Sequence, residues 1–440
     1  MNLGSVNLGS VDSKIGPRFP RPAVEGTRAV HAAKRISLKG SIAFLAAASM
    51  AASVSACSGG SSAEDGSIVV GVITPLSGPT SELGKESRDG VNLAVNEINA
   101  SGGIRAMGGA EVKVVFGDSE GDPQVAAAAV RRLVSQDGAT LVLGADSSAG
   151  AAAGAQAAES ARTLYLNSTS QDDTLSSHGY KYLLDQQVKN ASNAEAIGGL
   201  LSTLEARGDD VSRVAILSED SAKGEGDAKA LAAVVKEIGL EVVSTTSYSV
   251  SSTDLIPTMT RVRASNPDVV AWSGYTEDQA RGIEAMRSLK WSPYVVGGGS
   301  GISNPDMLEL VGPEQLDELR AASTNYYSPR IQEPRSREFA DAFKEAYDRA
   351  PIAYSIMAYE GMHTLAALLE AAGSTAADDL LNAATSLKIP NEKTAMPFAI
   401  EFDENGRNPE ARPFVSQWQD GREEIIWPEE LKTADPAPAA

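Results

Sequence analysis

The chain has 440 residues and a formal net charge of −20, a balance that disfavours nucleic acid and anionic lipid as partners. Its one cysteine, Cys57, excludes a disulfide framework, and its three histidines (His31, His178, His363) stand too far apart for metal-ligand spacing. The length suffices for two domains with sizeable cores.

Residues 1–33 are polar and without periodicity, and Lys34, Arg35 and Lys39 then form a positive cluster. The uncharged run SIAFLAAASMAASVSA (41–56) follows, shorter than the roughly 20 residues a spanning helix needs. Positive cluster, apolar run and small-residue cleavage region are the order of a secretory signal peptide, so 1–56 is set aside as leader plus extension. Val54-Ser55-Ala56-Cys57 resembles the lipobox of bacterial lipoproteins, which implies that Cys57 carries a lipid anchor. SGGSSAEDG (58–66) reads as a flexible linker that holds a folded body off a surface.

From residue 67 strands and helices alternate. SIVVGVITPL (67–76) reads as a strand, RDGVNLAVNEINASGG (88–103) as a helix ended by a glycine pair, and EVKVVFGD (111–118) as a strand. DPQVAAAAVRRLVSQDG (122–138) opens with Asp122 as N-cap and Pro123 at the first helical position. TLVLGA (140–145), a small-residue helix at 147–161 and TLYLN (163–167) continue the alternation. The rhythm restarts after residue 190, with helices over 193–208, 224–239, 254–265 and 277–289 and strands over 212–218, 240–250, 267–274 and 293–298. Two such series imply right-handed βαβ units and two doubly wound α/β lobes with parallel sheets. After residue 320 the pattern changes: a strand near 321–329, helices at 336–350 and 354–373, and a β-ribbon over 397–420 turning at Asn405-Gly406. The Pro/Ala-rich end reads as a disordered tail, 429–440.

In open parallel sheets, ligands gather beyond the carboxyl ends of the strands. That rule selects five polar loops: Asp146-Ser147-Ser148; Ser168 to Asp173; Glu219 to Gly226 with Lys223; Gly274 to Glu277 with Tyr275; and Gly299-Ser300-Gly301. A serine at a helix start offers a hydroxyl and unpaired N–H groups to a carboxylate. Ser147 and Ser148 also read as simple helix caps, and Lys223 as a solvated loop-tip lysine. The Lys223 loop lacks the spacing of a phosphate loop. No Cys/His pair, HExxH or nucleophile elbow is present in the sequence, which speaks against these catalytic chemistries.

The stretches 68–104, 116–134, 141–148, 165–180, 216–231 and 268–289 together resemble the leucine/isoleucine/valine-binding-protein family, the type I periplasmic binding proteins of ABC importers. SGP…G…GVNLAVNEINASGGI is the most specific piece. The resemblance covers nearly all of 67–428. It implies two flavodoxin-like lobes joined by a three-stranded hinge: 67–190 plus 323–410 as the first lobe, 191–322 plus 411–428 as the second. It implies an exported, lipid-anchored, monomeric solute receptor for an ABC permease and ATPase, with neither cofactor nor metal. A ligand-sensing module of the same fold and a secreted α/β enzyme are the alternative readings.

The family's carboxylate-binding serine falls on Ser148, its next loop on Ser170 and Gln171, and one second-lobe tyrosine on Tyr275. Its other tyrosine is Lys223 here, its aromatic lid Leu83, and its ammonium-binding acid Gly299, with Ser300 adjacent. Losing an acid and gaining Lys223 shifts the expected ligand toward a neutral or anionic one, unless Asp146, Asp172 or Glu277 substitutes.

Overall fold

The computed structural model describes residues 66–439 apart from Asp146, Gly299, Ser300 and Gln332. The leader, Cys57 and the candidate residue Ser300 therefore lie outside the described residues. β1 (Ile68–Thr74) is Val/Ile-rich and buried along almost its whole length, as expected of a strand covered on both faces. α1 (Ser81–Ala100), β2 (Val112–Asp118), α2 (Pro123–Ser135), β3 (Leu141–Gly144), α3 (Ser148–Ser160), β4 (Leu164–Asn167) and β5 (Leu183–Asp185) follow. The start of α2 is built as its sequence demands: Asp122 Oδ1 accepts from Gln124 N at 2.7 Å and Val125 N at 3.2 Å, with Pro123 where no donor is needed. The parallel sheet has the order β2-β1-β3-β4-β5, the flavodoxin-type order. β5, three residues long, is too short to show a period and was not legible in the sequence.

The second series contains α4 (Asn190–Arg207), β6 (Arg213–Glu219), α5 (Ala222–Glu237), β7 (Glu241–Tyr248), α6 (Ile256–Ala264), β8 (Val269–Ser273) and α7 (Thr276–Ser288). β9 (Tyr294–Gly298), the short α8 (Met307–Leu310) and α9 (Pro313–Glu318), and β10 (Ala322–Asn325) complete it. The order β7-β6-β8-β9-β10 repeats the topology of the first lobe. Since β10 pairs in parallel with β9, the chain leaves the second lobe only after Asn325, a few residues beyond the expected boundary at 323.

α10 (Pro334–Tyr347), α11 (Ala353–Ala372) and α12 (Ala377–Ala384) then return to the first lobe. Phe339, Phe343, Tyr359 and Leu365 share one core with Val70, Leu141 and Leu166. α11 lies against α1 so closely that a Cβ on Gly90 would be 2.0 Å from the Ser355 carbonyl oxygen, which admits only glycine there.

The end of the chain departs from expectation. β11 (Lys388–Ile389) pairs with β12 (Ile400–Glu401), while β13 (Phe414–Gln419) pairs with β14 (Arg422–Trp427) and, on its other side, antiparallel with β10. The two expected ribbon strands thus pair with other partners, and the tight hairpin turns at Asp420-Gly421 rather than Asn405-Gly406. The Asn405-Gly406 turn instead docks on β5, where Gly406 O accepts from Asp185 N at 2.7 Å. Nor is the tail loose over its described residues: Thr433 N donates to Ile425 O, Gln419 Nε2 to Asp435 O and Arg207 Nη1 to Pro436 O. Proline removes backbone donors but leaves carbonyls, and side chains of the second lobe supply what those carbonyls accept.

The two sheets are joined by three crossing segments, after β5, after β10 and before β13. Asp185 ties the first to the third: its carbonyl accepts from Asn408 N at 2.8 Å, and its buried carboxylate takes the Asn167 amide at 2.8 Å and pairs with Lys189.

Candidate functional site

The strand ends of the two lobes face one another, with α3 of the first lobe touching α5 of the second. On the first lobe, Ser147 is the N-cap of α3, its Oγ accepting from Gly150 N at 3.2 Å, and Ser148 is the first helical residue, buried at the helix start. Of the two serines, Ser147 is thus the helix cap. The neighbouring loop is folded by Asn167, which donates to Ser170 O at 2.8 Å and accepts from Ser170 N at 2.9 Å. Ser168 Oγ reaches back to Gly144 O at 3.0 Å, so the loops after β3 and β4 form one surface.

Gln171 is buried and its carboxamide is engaged inside the protein. Nε2 donates to the Tyr326 hydroxyl at 2.6 Å, Oε1 accepts from Asn193 Nδ2 at 2.9 Å, and Tyr326 in turn donates to Asn193 Oδ1 at 2.9 Å. This closed triad joins the first-lobe loop, α4 and the segment leaving β10. Gln171 braces the lobes rather than pointing a spare amide outward.

On the second lobe, β6 ends in Glu219, fully buried, whose carboxylate accepts from Ser221 N at 2.6 Å and Ser221 Oγ at 2.9 Å. Ser221 caps α5, and Lys223 is the second residue of that helix. Its ammonium is no loop-tip group. It lies 2.7 Å from Asp227 Oδ2, 3.0 Å from Ser273 Oγ and 3.5 Å from Gly298 O, with the Tyr275 ring centroid at 5.8 Å. Burial alone would lower the lysine pKa, but the charges of Asp227 and Glu219 outweigh it and hold the ammonium protonated. The added positive charge expected from Lys223 is therefore already neutralised by Asp227.

Asn190, oriented so that its nitrogen meets acceptors, donates to Asp227 Oδ1 and to Gln171 O, each at 3.0 Å. One hinge side chain thus touches both lobes. Its fit is close: a Cβ on Gly226 would lie 2.3 Å from the Asn190 amide.

Tyr275, half-buried, is the N-cap of α7, and its N–H donates to Asp278 Oδ1 at 2.9 Å. Burial, with the charges of Tyr354 and Glu219, raises its phenol pKa well above the ordinary value, so the hydroxyl is a neutral donor. Asp278 also accepts from the Tyr248 hydroxyl, which accepts from Trp272 Nε1 at 2.9 Å. Burial pushes the Asp278 carboxyl up to about 6 against the lowering effect of these hydrogen bonds. Tyr354, at the start of α11, lies within electrostatic range of Lys223 and Tyr275 of the opposite lobe and of Tyr326.

The structure brings together Lys223 and Tyr275 directly, and Gln171 with Lys223 through Asn190 and Asp227. Leu83 is half-buried on the first turn of α1. Asp227, Ser273, Asn190, Asn193, Tyr326 and Tyr354 are not legible in the sequence, and Glu219 is legible only as the first residue of a selected loop. Only the Lys223/Asp227 spacing of four on one helix was a readable signal; the others meet through tertiary contacts. A partly open cavity of about 20 Å³ near Asn304, Tyr327, Ile352 and Glu423 has room for one water molecule. A larger groove of about 520 Å³ lies on the second lobe between α6 and α7, lined by Ile256, Glu277, Ala280 and Leu310. Among the described residues no cluster of His, Cys, Asp and Glu could hold a metal ion, and no helix is long and apolar enough to cross a membrane.

Two flavodoxin-like lobes on a three-segment hinge, with polar strand ends facing each other, define the type I periplasmic binding protein fold. The chain belongs to the periplasmic binding protein family, whose model matches residues 67–423, within the leucine/isoleucine/valine-binding group. Members are solute-binding proteins, not enzymes, and work outside the cytoplasm. A Leu/Ile/Val-binding protein homolog 8 of Brucella abortus is 29% identical over 372 residues, covering 83% of this chain and 91% of that protein. Among solved structures, the branched-chain amino acid transporter substrate-binding protein LivJ of Streptococcus pneumoniae, in complex with isoleucine, is similar with a TM-score of 0.71 at 21% identity. The alignment covers 82% of this chain and all of LivJ. A solute-binding protein of Rhodopseudomonas palustris, in complex with 3,4-dihydroxybenzoic acid, has a TM-score of 0.70 at 18% identity, covering 81% of this chain and 95% of that one.

Proposed function

We propose that this chain is the extracytoplasmic solute receptor of an ABC importer, capturing a small polar ligand between its lobes by hinge closure. The observation that carries the reading is the convergence, across a three-segment hinge, of the α3 start on one lobe with the Lys223, Asp227 and Tyr275 cluster on the other. Ser148, at the N-terminus of α3, suits a ligand carboxylate, with Ser170 on the neighbouring loop. Tyr275 offers a neutral hydroxyl from the second lobe, Lys223 lines that wall and Gln171 braces it. Leu83 supplies apolar cover, and Ser300, next to Gly299 in the chain, is a further ligand contact. Lobe 1 comprises 67–190 with the return after Asn325, and lobe 2 the intervening chain with β13 and β14. The leader over 1–56 exports the protein, and a lipid on Cys57 anchors it at the outer face of the cell membrane. The relatives named above support a small carboxylate-bearing ligand, since one binds isoleucine and another 3,4-dihydroxybenzoic acid.

A thermal-shift screen of amino acids, small carboxylates, aromatic acids and amides tests this. A ligand at 100 times its dissociation constant stabilises by about 2.7 kcal/mol, a rise of a few degrees at this size. Unshifted melting across all classes, with the protein folded, rejects the reading.

A further inference from the structure

Resting on that solute-receptor reading, we propose that Lys223 fills this cleft's ammonium-recognition cage from within, so that the ligand is a small carboxylic acid lacking an α-ammonium group.

An ammonium has three N–H donors and no acceptor. Around Lys223 Nζ stand three oxygen acceptors, Asp227 Oδ2 at 2.7 Å, Ser273 Oγ at 3.0 Å and Gly298 O at 3.5 Å, and the face of Tyr275 at 5.8 Å, within cation–π range. The groups come from three elements: α5, the end of β8 with the residue capping α7, and the end of β9. A surface ion pair needs none of that convergence. The lysine is 8% exposed, although its position near a helix start would let a four-carbon stem reach water. Lysine is almost never so buried unless fully paired.

The cage also answers the missing acid at Gly299. A Cβ on the adjacent Gly298 would be 3.7 Å from Asp227 Oδ2, so a carboxylate does stand at that strand end, supplied by α5 instead of the strand. It is already spent. Oδ2 takes Lys223 and the Ser273 hydroxyl at 2.6 Å, and Oδ1 takes Asn190. The nearby Glu219 carboxylate holds its own loop through Ser221. A ligand ammonium entering here must either expel a paired lysine or remain without acceptors, and both are costly. The α3 start, where Ser147 caps the helix and Ser148 opens it, is the place for the ligand carboxylate. The altered preference therefore comes from occupancy of the ammonium position, not from a surplus of positive charge.

The test is titration calorimetry of the purified protein against matched pairs that differ only at the α-carbon. Leucine is set against 4-methylpentanoate and 2-hydroxy-4-methylpentanoate, and phenylalanine against 3-phenylpropanoate and 3-phenyllactate. The wild type should bind an acid from these pairs at least about tenfold more tightly than the matching amino acid. Lys223→Met keeps most of the stem and empties the cage, so it should gain amino-acid affinity by a similar factor. The gain should vanish in the double variant Lys223→Met/Asp227→Asn, which removes the acceptor; far-ultraviolet circular dichroism checks that each variant is folded. A wild type that prefers the amino acid overturns the proposal and leaves the receptor reading intact. A folded wild type that binds neither these pairs nor any other compound of the solute screen overturns both.

Discussion

Lys223 and Asp227 form a buried ion pair one turn apart on α5, with 2.7 Å between Nζ and Oδ2 and 2% exposure at the aspartate. Two residues of one helix turn thus decide the electrostatics of the second-lobe wall. Neither charge is available alone: each is neutralised by the other and held by neighbours from outside the helix, Ser273 and Gly298 on the lysine side and Asn190 on the aspartate side.

Removing one partner of such a pair strands the other. Lys223→Met should destabilise the ligand-free protein by about 3–5 kcal/mol, because Asp227 remains buried without its cation. Lys223→Met/Asp227→Asn should recover a large part of that loss. Urea denaturation of the single and double variants measures the difference, and equal losses in the two would show that the pair is not coupled.

Two buried carboxyls give the protein a stability component that grows toward acid. Burial pushes Asp278 up to about 6 and Glu423 up to about 7, in each case against hydrogen bonds that lower it. In the unfolded chain both titrate near about 4. Between those values the folded state binds more protons than the unfolded one. Each contribution is therefore fully present below about pH 4 and is lost as pH rises through the folded value. Asp278→Asn and Glu423→Gln should each change the pH slope of unfolding free energy within its window, at about 1.4 kcal/mol per pK unit removed. Slopes that coincide with wild type from pH 4 to 7 would refute the assignment.

The triad of Gln171, Tyr326 and Asn193 should behave as a unit. Tyr326→Phe leaves the Gln171 amide and the Asn193 oxygen short of a partner and should cost about 1–3 kcal/mol. Gln171→Ala made on top of it should cost less than Gln171→Ala alone. A double-mutant cycle in guanidinium decides this, and strict additivity would mean that the three groups do not cooperate.

Gly226→Ala sets two effects against each other. Alanine is worth about 1 kcal/mol over glycine inside a helix. Its Cβ would nevertheless stand 2.3 Å from the Asn190 amide, which bridges Asp227 to the first lobe. Net destabilisation by about 1–2 kcal/mol is expected, since overpacking and the lost bridge exceed the propensity gain. A raised melting temperature would show that Asn190 moves aside freely.

Tyr275→Phe should weaken ligand binding by about 0.5–1.5 kcal/mol, the worth of one neutral hydrogen bond, while the backbone bond from residue 275 to Asp278 survives. Calorimetric affinity that matches wild type would remove the hydroxyl from the ligand's partners.

Much of this molecule is legible in the sequence because it depends on local pattern. The doubly wound lobes follow from alternating β-branched runs and helical periods, and the start of α2 follows from Asp122-Pro123. Loops at strand ends were identifiable for the same reason: a parallel strand must end in a polar loop before its helix. β5 escaped because three residues show no period. The ribbon was misjoined because strand partnership is a long-range choice, and Phe414–Gln419 finds both Arg422–Trp427 and β10.

The residues themselves determined the family resemblance, the acidic balance, the leader reading and the candidate positions Ser148, Ser170, Lys223 and Tyr275. Tertiary structure alone decided which partners the side chains in these loops have. Gln171 turned inward because Tyr326, 155 residues away, offers its hydroxyl. Lys223 is neutral in effect because Asp227, Ser273 and Gly298 enclose it, and the sequence separations of Ser273 and Gly298 carry no period to read. A side chain's charge is written in the sequence, but the partners that cancel it are set by which strand ends the sheet order places side by side.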